Sequence, residues 1–586
     1  MKTEFSLKVM VASLICCVCF FPLIADADVK NPDTFVFASY GTVRTLDPCV
    51  AYDTVSRQRI LNIYEPLVFF DGSATDKFVP LAAAEVPTVA NGGITTDGKT
   101  YTFTIRKGIK FQEGGELSPE DVVYSLKRNM IADPDGGPMW MLLEALTGKG
   151  STRDKKGNIL PEIFETIDKS IEVKGDKVIL HLPKPYPPLM GILAYSSSVV
   201  IDKEWAVTKG CWDGKIENAA KYNKPDPGHE PLQKISNGSG AYRMKSWEPS
   251  NQFIFDRFDG YWGPKPALKT AIFKYVKEWS TRKLMLQNGD ADRVMVDNPY
   301  VPEVKAMKGL KFYKVPQLSI TTACLCQNIE TRGNSDIGSG KLDGKGIPPN
   351  FFSDINVRKA FLHAFDRKLY AEDVFDNMVI MPTSPNIEGL AYHKENVPVY
   401  DFDLAKSAEF MKKAWGGKVW EKGFEMVVTY NTGNEMREAA AQMMVENIMS
   451  LNRKFKIETR SVDWKDYLVK YRAFMFPIFI IGWGADYADP HNFVYTYMHS
   501  QGVYGRYMAY QNDEIDKLCD AGIDTANPAK RDIIYTKLQK LWYEEAIAVP
   551  LYQQIEIRAY RDYVHGYVPN PMFNQEWENL KMMSKK

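Results

Sequence analysis

Residues 479–490 read FIIGWGADYADP, an apolar run that ends in an indole and two carboxylates. Apart from Pro477, residues 476–481 are β-branched or aromatic, which is typical of a strand covered on both faces. Gly482 and Gly484 follow. Because glycine has no Cβ, we expect these two residues to release the backbone into a turn and to let a ligand approach closely. The stretch predicts a buried strand whose carboxyl end carries a binding loop.

Two side chains of this loop are candidates for binding. Trp483 offers a large flat face with one N–H donor. Asp486 stays close to the apolar strand, where a carboxylate is costly to bury unless a cation or several donors meet it. An ammonium group on a ligand would meet that need. The alternative is that Asp486 caps a turn or helix and that Asp489 starts one, since Asp is common in both roles.

Length and composition limit the possible classes of protein. With 586 residues the chain far exceeds the roughly 250–300 residues at which one hydrophobic core stops growing, so at least two lobes are expected. Its 73 basic residues balance 73 acidic ones, so the composition does not favour nucleic acid as a partner. The 12 Trp, 31 Tyr and 30 Phe suit a site that surrounds a ligand with rigid, flat walls.

Residues 1–27 have the pattern of an export signal. Lys2 and Lys8 lie at its start, residues 9–24 are uncharged, and residues 25–27 read ADA, a small-x-small cleavage site. The protein is therefore expected in the periplasm. A retained membrane anchor is the alternative, although the run is short for a bilayer span.

Cysteines bear on both anchoring and redox state. Lipid anchoring through Cys16, Cys17 or Cys19 ranks second to secretion, because Ile15 is too bulky for the usual lipoprotein processing site. Removal of the signal leaves five cysteines: Cys49, Cys211, Cys324, Cys326 and Cys519. In an oxidising compartment one or two disulfides could form and one thiol would be left over, with the pairing left open.

The second part of the chain alternates strands and helices. Strands are predicted over residues 318–324, 424–430, 455–460 and 476–481, and helices from residue 353 and over residues 403–414, 434–451 and 464–471. This alternation favours an α/β layer with parallel strands. After a last helix over residues 531–546, a strand over residues 549–557 is expected to return to the first lobe.

The first part carries a clear helix start at Ser118, which precedes Pro119 and two acids. Residues 133–157 are rich in Gly and Asp, contain the patch MWMLL and predict an irregular insertion with no assigned role.

Eight short pieces of the sequence resemble the family 5 extracellular solute-binding proteins, the large periplasmic receptors of ABC importers that include the oligopeptide-, dipeptide- and nickel-binding proteins. They run in family order through nearly the whole chain after the signal. The pieces are residues 46–48, 62–67, 101–111, 238–242, 261–263, 352–366, 482–490 and 549–552.

The resemblance implies an α/β, two-lobed periplasmic-binding-protein fold of type II, hinge-linked around a central cleft. The large class of this fold has an extra subdomain in lobe I. The expected divisions are a signal peptide over residues 1–27, lobe I over residues 28–295 and 549–586 with a subdomain inserted at about residues 65–200, and lobe II over residues 296–548.

The resemblance also implies the role of substrate-binding component of an ABC transporter. Such a protein captures short peptides in the cleft, closes by hinge bending and delivers them to a permease in the inner membrane. The pattern G-W-x-A-D is intact over residues 482–486, which implies that Asp486 pairs with the terminal ammonium of a peptide. A monomer is expected, with no catalysis, cofactor, metal or nucleic acid.

Further ligand contacts are expected from the loop, from the returning strand and from lobe I. Arg44 is of interest as a partner for a ligand carboxylate, because a guanidinium binds a carboxylate in a fork. Beside Asp486, the expected set is Trp483, Gly482, Gly484, Ala485 and Tyr487 of the loop, Tyr552 and Gln554 of the strand, and Tyr64, Arg44 and Tyr242 of lobe I.

Two alternatives remain open. The same receptor could bind a metal chelate, haem or an oligosaccharide, in which case Asp486 need not meet an ammonium group. A more distant alternative is a secreted hydrolase that uses Asp486 and Asp489 as paired carboxylates.

Overall fold

The computed structural model describes residues 29–154, 156–226 and 228–586, so the predicted signal and its cysteines lie outside the described residues. The strands in these ranges are β1 Thr34–Ser39, β2 Val68–Phe70, β3 Phe78–Pro80, β4 Thr100–Thr104, β5 Ile171–Lys174, β6 Lys177–His181, β7 Tyr242–Glu248, β8 Gln252–Arg257, β9 Thr270–Tyr275, β10 Arg293–Val294, β11 Leu310–Pro316, β12 Ser319–Leu325, β13 Val379–Ile380, β14 Phe424–Asn431, β15 Phe455–Val462, β16 Ile478–Gly484, β17 Ala548–Arg561, β18 Val564–His565 and β19 Ser584–Lys585.

The helices in the same ranges are α1 Thr54–Ile63, α2 Pro119–Ala132, α3 Trp140–Thr147, α4 Ile163–Ser170, α5 Leu189–Leu193, α6 Lys203–Thr208, α7 Trp279–Gln287, α8 Val301–Lys305, α9 Ile355–His363, α10 Arg367–Phe375, α11 Leu404–Lys413, α12 Lys418–Lys422, α13 Glu435–Leu451, α14 Trp464–Arg472, α15 Pro490–Met498, α16 Val503–Tyr507, α17 Asp513–Asp524 and α18 Pro528–Glu544. In the described part of the chain, no helix is long and apolar enough to cross a membrane.

One large sheet runs through the molecule in the order β15-β14-β16-β12-β17-β10-β1-β9-β8-β7, with β11 and β13 also paired to β17. We call β10, β1, β9, β8 and β7 the first half of the sheet, and β12, β16, β14 and β15 the second half. Strand β17 joins the halves, because it pairs with β12 between Ala548 and Tyr552 and with β10 at Tyr560. The strand reaches the first half at Tyr560, beyond its predicted end at residue 557, and the bounds of the two lobes stay a prediction.

The second half of the sheet is mixed, not wholly parallel as expected. Strand β14 is parallel to β15 and β16, whereas β12 is antiparallel to β16. The carboxyl ends of the three parallel strands, at Asn431, Val462 and Gly484, therefore lie at one edge of the sheet. Ser319, at the start of β12, is paired with Gly484 at the same edge.

Local sequence signals explain where α2 begins but not the course of the chain beyond it. Ser118 and Asp121 form a capping box, so the predicted helix start is confirmed. The expectation of an irregular insertion over residues 133–157 is wrong for its central part, because the apolar patch forms α3, which ends at Gly148 in the left-handed region. Met141 and its apolar neighbours in α3 are buried in the core of the first half.

Three of the motifs that resemble the family are held by buried carboxylates. Glu65 accepts hydrogen bonds from the Tyr261 hydroxyl at 2.7 Å and from Trp262 Nε1 at 2.6 Å, which joins two motifs that lie far apart in sequence. Asp47 accepts from both terminal nitrogens of Arg128, at 2.5 and 2.6 Å. The buried ion pair of Asp47 with Arg128 is strongly destabilising to break, because one partner then remains charged and unpaired.

The segment after β17 packs against the first half through further buried ion pairs. Arg59 Nη2 contacts Glu576 Oε2 at 2.7 Å, and Arg293 pairs with Glu578. These contacts tie the C-terminal residues to α1 and β10, two elements that lie far apart in the sequence.

The expectation of disulfides is wrong for the structure. Cys49, Cys211, Cys324, Cys326 and Cys519 are all free and buried thiols. Their burial is consistent with the behaviour of cysteine as a small apolar residue that fills space in a core.

Candidate functional site

The predicted glycine turn after Ile481 does not form. Strand β16 continues to Gly484, because Gly482 pairs with Thr321 and Gly484 with Ser319 of β12. Gly482 is needed for a different reason, since a Cβ there would lie 2.9 Å from Thr321 Oγ1 and 3.3 Å from Arg437 Nη2. A Cβ on Gly484 would meet no atom within 4 Å, and this residue is exposed at the edge of the sheet.

The loop after β16 is fixed by one residue that the sequence did not single out, Asn492 of α15. Its Oδ1 accepts from Trp483 Nε1 at 3.0 Å and from the backbone N–H of Asp486 at 3.1 Å. Its amide nitrogen donates to Asp486 Oδ2 at 3.5 Å. The indole N–H of Trp483 is thus engaged within the protein, and its ring is half-buried.

The carboxylate of Asp486 reaches across to the first half of the molecule. The Tyr52 hydroxyl donates to Asp486 Oδ1 at 2.6 Å, over a separation of 434 residues. Trp140 Nε1, at the start of α3, donates to the same hydroxyl at 3.1 Å. Tyr52 and Trp140 both pack against the core that includes β1, β8 and β9. The three side chains therefore meet where the two halves face each other.

Asp486 is buried, with 8% of its surface exposed. Burial raises the pKa of its carboxyl above the ordinary value, against hydrogen bonds from Tyr52 and Asn492 and the positive charge of Arg57. Among the described residues, no basic nitrogen lies within 4.0 Å of its oxygens. Arg57 instead donates to the Tyr195 hydroxyl at 2.7 Å. A buried carboxylate without a cation of its own favours a cationic ligand group.

Asp489 has a different environment from Asp486. Both of its oxygens accept from Arg531, at 2.7 and 2.8 Å, in a buried bidentate pair. Its side chain also caps α15 by accepting from His491 N, so the interpretation that Asp489 starts a helix is confirmed. Because Arg531 occupies this carboxylate, the geometry gives no support to the use of Asp486 and Asp489 as a catalytic pair.

A cationic side chain lies at the carboxyl edge of the second half. Arg437, near the start of α13, donates from Nη1 to Asn431 Oδ1 at 2.8 Å, and its guanidinium lies 6.0 Å from the Trp464 ring centroid. It is half-buried beside Gly482. In the part of the chain that the structure describes, no carboxylate lies within 4.0 Å of it.

The remaining predicted loop residues have distinct surroundings. Ala485 is half-buried, and its N–H donates to Leu318 O at 2.8 Å. Tyr487 is 2% exposed and packs in the core of the first half, with its ring centroid 6.2 Å from that of Trp140. Tyr487 therefore holds the halves together and does not line an open cleft.

The predicted contacts from β17 and lobe I are not brought to Asp486. Tyr552 is buried against Phe375 in the core of the second half, and Gln554 is half-buried opposite β13. Tyr64 and Tyr242 are fully buried, so we assign them to packing. Arg44 is exposed, and its backbone N–H donates to Ser56 Oγ.

Sequence reasoning missed the partners of Asp486. Tyr52 precedes the N-cap of α1, Trp140 lies in the patch assigned to an insertion, and Asn492 follows Pro490 inside a helix. Tyr52 and Asn492 carry no local signal for binding. At Trp140, the one local indication of binding is an N–H donor within a patch of apolar residues.

One group of carboxylates in the described residues has a spacing that could hold a metal ion: Asp121, Asp202 and Glu204. Asp121 and Asp202 already accept hydrogen bonds as caps of α2 and α6. Capping accounts for both, so we assign no metal or cofactor to this group.

Comparison with known proteins identifies the family. The family model described as "Bacterial extracellular solute-binding proteins, family 5 Middle" matches residues 77–505, well over half of the chain. The chain belongs to the family 5 extracellular solute-binding proteins. The resemblance drawn from the eight sequence pieces is therefore confirmed.

Relatives of this family 5 protein bind different solutes. It is 24% identical over 567 residues to a dipeptide-binding protein of Escherichia coli, covering 94% of each chain. It is 23% identical over 563 residues to the heme-binding protein A of Haemophilus influenzae, covering 93% of this chain and 92% of that protein. Family membership thus establishes that this chain is a solute-binding protein.

Solved structures show that the family 5 protein has the two-lobed fold. The periplasmic binding protein DppA of Helicobacter pylori, determined with the peptide STSA, superposes with a TM-score of 0.69 at 22% identity, over 94% of this chain and 98% of that one. The predicted α/β, two-lobed class is confirmed, and at this identity the likeness shows the fold alone.

Proposed function

We propose that the ligand is a short peptide with a free amino terminus, bound between the lobes. The observation that carries this proposal is the Asp486 carboxylate, which is buried between the two halves and has no ion-pairing cation within the described residues. A terminal ammonium would supply the missing charge, and desolvated charge pairs of this kind contribute strongly to binding. The dipeptide-binding relative and the peptide-bound neighbour support the same choice.

Arg437 is the better placed partner for the carboxylate of such a peptide. Its guanidinium lies beside Gly482, four residues before Asp486 and at the same edge of the sheet. A planar guanidinium binds a carboxylate through two parallel hydrogen bonds. Arg44, the partner expected from the sequence, is exposed and contacts neither Asp486 nor Gly482 in the hydrogen-bonding network.

Binding would be accompanied by hinge bending around β17 and the connection between β11 and β12, where the chain passes between the halves. The proposed lobes are residues 28–295 with 549–586, including a subdomain at about 65–200, and residues 296–548. The hydrogen bond between Tyr52 and Asp486 would form on closure, because its two residues come from opposite halves.

The protein would act as a monomer in the periplasm, reached through the signal at residues 1–27, and would deliver peptide to an ABC permease. We assign it no catalysis and no nucleic-acid partner. The family of solute-binding proteins and the balanced charge of the chain support these assignments.

Native mass spectrometry of protein purified from its periplasm tests the choice of ligand. We expect additional masses that match short peptides and that disappear after unfolding and refolding. Titration calorimetry on the refolded protein should then show one-to-one binding of free peptides without turnover. A co-purifying heme, metal chelate or oligosaccharide would overturn the peptide assignment and leave the solute-binding role intact.

A further inference from the structure

We propose that the Tyr52 hydroxyl, positioned by Trp140, completes the ammonium subsite together with Asp486 and contacts the ligand directly. This rests on the proposed function, since it assumes that Asp486 receives an ammonium group. The subsite is complete only when the lobes are closed, because Tyr52 and Asp486 belong to opposite halves of the molecule.

The hydrogen-bonding capacity of the two groups fits a primary ammonium. The single proton of the Tyr52 hydroxyl goes to Asp486 Oδ1 at 2.6 Å, and one of its two acceptor positions is taken by Trp140 Nε1 at 3.1 Å. One acceptor position remains on the hydroxyl. Within the described residues, Asp486 Oδ2 has only the long contact of 3.5 Å from Asn492. An ammonium group has three donors, which the carboxylate and the hydroxyl oxygen can accept together.

The charged groups around this point include, in the described part of the chain, no cation that forms an ion pair with Asp486. From the first half, Tyr52, Arg57 and the Tyr195 hydroxyl face Asp486. Arg57 is turned to Tyr195 at 2.7 Å and makes no ion pair with the carboxylate, so its positive charge helps to keep Asp486 ionised without occupying the subsite. From the second half, Asn492 contributes a neutral amide.

Trp140 is a positioning residue in this arrangement. By donating to the Tyr52 oxygen it fixes the direction of the hydroxyl proton, and a hydroxyl that accepts a hydrogen bond becomes a stronger donor. The hydroxyl proton is therefore directed to Asp486, and the free acceptor position is directed to the ligand. A peptide whose amino terminus is acylated lacks the charge and two of the donors, so the subsite should reject it.

The test is titration calorimetry of wild type and of Tyr52→Phe with a peptide that wild type binds and with its N-acetylated form. We expect Tyr52→Phe to bind the free peptide about tenfold or more weakly, the scale of a hydrogen bond to a charged group. Discrimination against the acetylated form should shrink by a similar factor. Trp140→Phe, which keeps an aromatic ring and removes the N–H, should act in the same direction with a smaller factor.

The pH profile separates a role of Tyr52 beside the Asp486 carboxylate from a packing role, and the discrimination against the acetylated peptide reports the contact with the ligand. Loss of the Tyr52 hydroxyl removes a donor from Asp486, so its carboxyl protonates at higher pH and affinity should fall at a higher pH than in wild type. A packing role alone would lower affinity by the same factor at every pH. Tyr124→Phe is the matched control, because that hydroxyl is buried in the first half and donates to Trp212 O at 2.7 Å, away from the subsite.

The outcomes distinguish the two levels of the proposal. If wild type binds no peptide, the proposed function fails. If wild type binds free peptides and Tyr52→Phe shows the same affinity, the same discrimination and the same pH profile as Tyr124→Phe, the function stands and the role of Tyr52 is overturned.

Discussion

At the scale of single residues, Asp486 and Asp489 provide a contrast within one loop. Asp486→Asn keeps the shape of the side chain and removes a buried charge that has no ion pair among the residues described, so we expect thermal stability to change little. Peptide affinity should fall by about 2–5 kcal/mol, at least about 30-fold, because the ammonium loses its counter-charge. Calorimetric titration at pH 7 measures this loss.

Asp489→Asn is the control for that variant, because it should lower folding stability instead of acting through peptide affinity. It breaks the buried pair with Arg531 and leaves the guanidinium uncompensated, which costs about 3–5 kcal/mol of folding stability. The melting temperature should therefore drop. An Asp486→Asn protein that binds peptide as wild type does would show that the carboxylate has no part in recognition.

The raised pKa of Asp486 predicts how affinity depends on pH. Only the ionised carboxylate attracts an ammonium group, and burial raises the pKa of this carboxyl in the ligand-free protein. As pH falls, affinity should therefore begin to decline above the ordinary Asp value of about 3.9, while a peptide ammonium with a pKa near about 7.7–8.0 stays charged. Titrations over a pH series would show this decline in wild type. An Asp486→Asn protein should lack it, and a decline that persists in that variant would assign the titration to another group.

At the scale of elements, the two glycines of β16 have different roles. Gly482→Ala would place a Cβ 2.9 Å from Thr321 Oγ1 and 3.3 Å from Arg437 Nη2, so one of these side chains must move. We expect a loss of about 1–3 kcal/mol in stability, the usual cost of overpacking, together with weaker binding if Arg437 is displaced. Thermal unfolding and calorimetric titration measure the two effects.

Gly484→Ala is the matched control, because its Cβ would meet no atom within 4 Å. It should leave stability and affinity close to those of wild type. Equal behaviour of the two variants would contradict the close packing at Gly482.

The same strand shows what the sequence could predict and what it could not. The apolar run predicts a buried strand, and the Asp489-Pro490 pair starts a helix, because both depend on residues next to each other. The extended conformation of Gly482 and Gly484 was missed because it depends on pairing with β12, about 160 residues away. The contact between Tyr52 and Asp486 depends on how the two lobes meet, which no local pattern encodes.

At the scale of the whole molecule, Tyr487 links the two lobes. It follows β16 of the second half, yet its ring is 2% exposed in the core of the first half, near Trp140. Tyr487→Ala should remove up to about 3–5 kcal/mol of packing that exists only when the lobes are closed. We therefore expect the ligand-free variant to be more open, with a larger radius of gyration in small-angle scattering.

Peptide affinity of Tyr487→Ala should fall as well, because only the closed fraction of the protein presents a complete site. Saturating peptide should return the radius of gyration to the wild-type bound value, since the ligand supplies the closing contacts. Tyr497→Ala is the control, because its buried ring and its hydrogen bond to Ile320 O lie within the second half. That variant should unfold at lower temperature without a change in compactness. If Tyr487→Ala instead keeps the wild-type radius and affinity, closure is maintained by other contacts between the lobes, such as the ion pair of Lys184 with Asp524.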